Sequence, residues 1–160
     1  LLRNDVYFHN HKVFLNKEQR RVKASDFEYS FNRLIDERVA SPGSWVLNNV
    51  DSFYAVNDSV FFIKLIKPFP AFLQMLSMQY CSVVSKRNFN KENKDFIGTG
   101  PFKFQFWKRG VKLVLRKNID YFEKDDRNQS LPYLDSISIS FISVDCKILR
   151  SKALLVPSFK

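Results

Sequence analysis

The stretch Asp95–Gly110 reads DFIGTGPFKFQFWKRG. Two glycines bracket a threonine, and aromatic residues then alternate with polar and basic ones. Three arrangements are written this way: a glycine loop cradling phosphate, a basic-aromatic face stacking bases, and a turn feeding a half-buried strand. A phosphate loop needs a nest of backbone N–H groups at a helix N-terminus. Here Pro101 removes one donor, and the residues after it have period two, so no helix begins there. Stacking platforms gather aromatic and basic side chains on one exposed sheet face. By simple alternation Phe102, Phe104 and Phe106 share one face, and Lys103, Gln105 and Trp107 the other. That segregation favours a buried Phe face. Pro101 then starts the strand at a position that needs no ladder donor, and the GTGP segment reads as a structural turn.

On the C-terminal side, Lys108-Arg109-Gly110 precedes a second alternation, with Val111, Leu113 and Leu115 set against Lys112, Val114 and Arg116. This is a hairpin signal, with Gly110 available for a positive φ. Ser136–Ile142, SISISFI, alternates again. On the N-terminal side, YCSVVS (residues 80–85) reads as a buried strand, and a polar loop runs from Lys86 to Asp95.

Further upstream, VDSFYAV and SVFFIKL are β-rich runs separated by Asn57-Asp58, a second hairpin signal. Pro68 ends the later strand. FPAFLQML fits a short helix with Pro70 near its first turn, where a missing N–H costs little. Ser25-Asp26-Phe27-Glu28 has the form of a capping box. Phe27, Phe31, Leu34 and Ile35 follow at i, i+4, i+7 and i+8, one helical face. That helix is expected to end before Ser41-Pro42-Gly43, and Ser44 is placed to cap a short second helix through Trp45 and Leu47. Leu2–Phe8 reads as a short strand, and His9–Arg21 as a polar loop. The mixture is α+β, with helices set between hairpins and no internal repeat.

The bulk composition fits one ordinary domain: 160 residues, 45% hydrophobic and 16% aromatic, with 17 Phe. The formal net charge of +10 favours acidic partners. However, Lys and Arg are spread along the chain without a run of five, which suits a merely solubilising role. No apolar run approaches the ~18 residues of a membrane span. Cys81 and Cys146 lack metal spacing, and sequence alone does not bring them together. His9 and His11 stand at i, i+2, a spacing that suits a metal pair on a strand; with no third ligand implied, they read as surface-loop residues. No serine-nucleophile elbow or Walker loop is present. Asp36-Glu37 and Asp125-Asp126 read as solvated charges rather than a catalytic pair. The expectation is therefore a protein that is not an enzyme and carries no metal or cofactor.

Six ordered blocks carry a resemblance. They are LRNDVYFHN, VKASDFEYSFNRLID, ASPGSW, NDSVFFIKLIKPFPAFLQML, IGTGPFKFQFWKRGVKLVLRKNIDYF and LPYLDSISISFI, and together they run from about residue 2 to 142. In this order they resemble the family 5 solute-binding proteins of bacterial ABC importers, the oligopeptide/dipeptide/nickel-binding group. The resemblance implies a two-lobed, periplasmic-binding-protein-like fold (class II, cluster C type). This chain would be the central piece of the first lobe over residues 1–142, with an inserted subdomain at about 24–97. The tail, residues 143–160, fits none of the family pattern and carries Lys147, Arg150, Lys152 and Lys160.

The resemblance further implies a peptide or other small solute as ligand and an inner-membrane ABC permease as partner, with no nucleic acid and no oligomer. It implies a periplasmic or cell-envelope location, lipid-anchored in a full-length lipoprotein. It places the residues after the Ser-Pro turn, Ser44 and Trp45, and those before the VVSK segment, Gln79 and Tyr80, at the ligand cleft. Against that stand the plainer assignments, Trp45 in the core and Tyr80 in a strand. Gly98 and Gly100 become hinge and turn residues leading into the main sheet. Two other readings compete: a basic nucleic-acid-binding domain, and a non-functional remnant of a transporter gene.

Overall fold

A computed structural model describes residues 1–89 and 96–142. Helix α1, Ala24–Ile35, is the longest element. Two short helices, α2 (Phe72–Met75) and α3 (Lys86–Phe89), come later in the chain. Strands β1 (Val50–Asn57) and β2 (Val60–Leu65) form one antiparallel hairpin. Strands β3 (Phe102–Lys108), β4 (Lys112–Lys117) and β5 (Ser136–Ser140) form a separate antiparallel sheet in that spatial order.

The α1 start differs in detail from the Ser25–Glu28 capping box. The helix cap lies two residues earlier, at Lys23, and Asp26 is the capping carboxylate, accepting the Lys23 backbone N–H at 3.0 Å. Glu28 is drawn elsewhere: it accepts the Ala55 N–H at 2.9 Å and so ties α1 to β1. Phe27, Phe31 and Leu34 do face the hairpin. The Phe31 ring meets Phe53 at 5.6 Å and Phe61 at 5.4 Å, both edge-on, an arrangement that favours aromatic pairs. Ile35, counted with that face in the sequence, is instead exposed at the helix end. The hairpin turn is set by Asn57, whose side-chain oxygen accepts from both the Ser59 and Val60 N–H groups at 2.9 Å. That local bond is the reason Asn suits the position.

Two buried clusters result. One gathers Phe31, Leu34, Val46, Leu47 and Cys81 between α1, the hairpin and the loop segments. The other gathers Phe8, Phe14, Val22 and Ile97. The YCSVVS segment serves both clusters but is not a strand. Gln79–Cys81 forms a 3-10 turn, and residues 82–85 run on without a ladder. The Val84 N–H is satisfied by the Ser30 hydroxyl of α1 at 3.0 Å rather than by a neighbouring strand. Likewise Leu2–Phe8 is not a strand: it bends at Asn4-Asp5 and makes only a bridge, Tyr7 to Arg21.

Sheet β3–β5 carries the largest departure. The β3–β4 register pairs Phe104 with Leu115 and Phe106 with Val114, leaving Gln105 as an extra residue. Such a bulge re-aims every side chain beyond it. Trp107 therefore joins Phe104, Leu113 and Leu115 on one face, continued by Ile137 and Ile139 of β5. Phe106 turns to the opposite face and is 45% exposed. The turn after β3 behaves as expected, with Gly110 at φ +70°. Gly98 and Gly100 do not adopt left-handed φ.

Candidate ligand-binding site

Ser44 and Trp45 open a 3-10 turn, Ser44–Leu47, which is anchored by the buried Val46 and Leu47. The anchoring sets the other side of the turn outward. Ser44 is exposed, and Trp45 is 48% exposed, so Trp45 is not a core residue. Gln79 and Tyr80 open the second 3-10 turn. Gln79 is exposed, while Tyr80 is half-buried against the first cluster.

The two turns touch through Gly43. A Cβ built on Gly43 would stand 2.4 Å from both Cβ and Cγ of Tyr80. No real side chain tolerates that approach, so glycine is what lets the Ser44–Trp45 turn lie against Tyr80. The structure thus brings together the segments carrying the four residues. The recess beside them is small, about 150 Å³, and is lined by Tyr80 with Ser30, Arg33, Ser41, Ser82 and Val84. Ligand sites for drug-sized molecules span roughly 300–1,000 Å³. Beside the recess, Trp45 and Tyr80 offer an indole and a phenol, apolar area bearing single polar handles. Cys81 adds no chemistry here, because burial pushes its thiol above the ordinary range, away from the reactive thiolate.

A larger cavity, about 530 Å³, lies elsewhere, over the apolar face of sheet β3–β5. Its wall includes Phe96, Phe104, Trp107, Leu113 and Leu115, with His9 at one end. His9 already uses both ring nitrogens on the backbone of Gly98 and Gly100. A peptide brings an N–H and a C=O for each residue, and these would lose water without gaining partners there. Among the described residues, the cavity is an open apolar face of the sheet with few polar partners for a peptide.

Next to it lies a polar hub that no sequence motif announces. His9 was expected on a surface loop, yet it is only 6% exposed. Arg20, from the basic run before α1, is equally buried. Its Nε donates to the Phe8 carbonyl at 2.9 Å, and its terminal nitrogen donates to Asp120 at 2.7 Å. Asn118 donates to the Gly100 carbonyl at 3.0 Å. Arg20 and Asp120 are 100 positions apart, so no local pattern could join them.

Comparison with known proteins agrees with this architecture. The chain matches, over residues 1–150, the model for bacterial extracellular solute-binding proteins, family 5 (middle region), and it belongs to that family. Among characterised relatives, it is 26% identical over 149 residues to the oligopeptide-binding protein OppA of Bacillus subtilis, an alignment covering 79% of this chain and 27% of that one. Among solved structures, it is similar to the periplasmic binding protein DppA of Helicobacter pylori in complex with the peptide STSA. That match has a TM-score of 0.71 at 31% identity and covers 88% of this chain and 30% of that chain. NikZ of Campylobacter jejuni, in complex with Ni(L-His), matches with a TM-score of 0.67 at 26% identity, covering 88% of this chain and 27% of that chain. The fold is thus that of part of a periplasmic binding protein, with mixed helices and sheets. The chain spans under a third of the length of these relatives.

Proposed function

We propose that this chain forms part of the first lobe of an extracytoplasmic solute-binding protein that delivers peptides to an ABC permease. The observation that carries the reading is the likeness, over 88% of the chain, to a binding protein that holds a peptide. Residues 1–142 make the lobe piece, with α1, the β1–β2 hairpin and the turns after it as the inserted subdomain at about 24–97. The separate hairpin and its own buried cluster support that division. Ser44, Trp45, Gln79 and Tyr80 supply one wall of the cleft, and the opposing wall comes from a second lobe. The protein works outside the cytoplasmic membrane, held there by a lipid anchor on the full-length polypeptide.

A chimaera tests this reading. Residues 1–150 replace the matched stretch of Bacillus subtilis OppA, and peptide binding is measured by calorimetry, with circular dichroism confirming the fold. The chimaera is expected to bind, and Trp45→Ala or Tyr80→Ala to weaken binding by about tenfold or more, as truncating a buried aromatic anchor does. A folded chimaera whose affinity neither substitution changes would remove these residues from the cleft.

A further inference from the structure

We propose that His9 is a pH-dependent clasp on the Gly98–Gly100 junction, closed by its neutral imidazole and opened by protonation. The geometry fixes the tautomer. The Gly98 N–H donates to Nδ1 at 3.3 Å, so Nδ1 must carry a lone pair. The Gly100 carbonyl lies 3.0 Å from Nε2, so Nε2 must carry the proton. The His9 N–H also donates to the Gly98 carbonyl at 2.8 Å. One residue thus holds the GTG turn by three bonds, two of them through a ring in one protonation state.

A second proton would turn Nδ1 into a donor facing another donor. The Gly98 bond would break, and a cation would be left 6% exposed. Among the described residues, the charged groups that bear on the ring are Lys103 of β3 and Arg20 of the turn before α1, both cations, and Arg20 is already bonded to Asp120. His9 lines the apolar cavity together with Ile97 and Phe102. Burial, reinforced by the two cations and opposed by the Gly100 bond, holds the pKa of His9 below the ordinary histidine value.

An unfolded chain takes up the proton near pH 6.5, the folded one only at lower pH. Stability from the clasp is therefore complete above about pH 6.5 and is lost as pH falls toward the folded value. Each unit between the two values raises the unfolding equilibrium constant about tenfold. Opening frees the start of β3 from the N-terminal segment, beside the apolar sheet face.

NMR on the intact chain, titrated from neutral to about pH 4.5, tests the clasp directly. The His9 ring is expected to titrate below about pH 6.5, and protection of the Gly98 amide from exchange to fall along the same curve. In denaturant unfolding, His9→Gln is expected to lack the stability step in that window, and His11→Gln to keep it. A Gly98 amide that stays protected while the ring titrates would overturn the proposal, as would superimposable pH profiles for wild type and His9→Gln. Where His9→Gln does not fold, the wild-type titration alone decides.

Discussion

Gly43 lacks a side chain because Tyr80 occupies the space one would fill. Its φ of −96° is open to any residue, so substitution there acts through contact alone. Gly43→Ala is expected to cost about 1–3 kcal/mol, the usual range for overpacking, measured by urea unfolding. It is also expected to push the Trp45 turn away from Tyr80. Arg20 presents the opposite case, a charge kept inside by its partners. Arg20→Met keeps the apolar stem but leaves the Phe8 carbonyl unpaired and Asp120 without its cation. A loss of about 1.5–3 kcal/mol is expected, in line with a hydrogen bond to a charged group, because Asp120 retains access to water. Asp26 gives a pH signature. Burial raises its carboxyl pKa, against the pull of the Lys23 and Lys86 N–H groups. The folded state therefore holds this proton to higher pH than the unfolded chain does. Stability of wild type relative to Asp26→Asn should fall as pH rises from about 4 through the folded value, a trend read from unfolding curves at successive pH values.

At the scale of elements, the two hairpins were legible because their signals are local. Alternation gives the strands, Asn57 and Gly110 give the turns, and the helix face of Phe27, Phe31 and Leu34 comes from spacing. What alternation could not supply was the extra residue at Gln105. Nothing in FKFQFW marks a bulge, since the extra residue exists only relative to β4. The consequence is large, because it exchanges the faces that alternation assigned to Phe106 and Trp107. Deleting Gln105 should restore unbroken alternation while keeping Trp107 on its face, because it then stands two positions after Phe104 and still pairs with Leu113. Its fluorescence maximum and iodide quenching are then expected to stay as in the wild type; a shift in either would show Gln105 to be an ordinary member of the alternation rather than the extra residue. YCSVVS departs from its strand expectation for a related reason. Its composition suits a strand, but a strand needs a partner edge, and here Ser30 of α1 takes the N–H that a ladder would have used.

At the scale of the whole molecule, the candidate site was reached through family resemblance rather than through chemistry written in the residues. Ser44, Trp45, Gln79 and Tyr80 form no recognisable constellation in the sequence. They meet only because two 3-10 turns are packed against one core through Gly43. The polar hub of His9, Arg20, Asn118 and Asp120 was invisible for the same reason, its members being joined across the length of the chain. Two features of the fold fit the small share of its relatives' length that the chain spans. The recess at the candidate wall is about 150 Å³, and among the described residues the sheet face carrying Trp107, Leu113 and Leu115 borders an open cavity of about 530 Å³. A one-sided wall buries too little of a peptide to offset the freedom the peptide loses on binding. The most direct test is calorimetric titration of the 160-residue chain with mixed di- to pentapeptides. No association tighter than about 1 mM, or about −4 kcal/mol, is expected. A micromolar dissociation constant for the chain alone would contradict it.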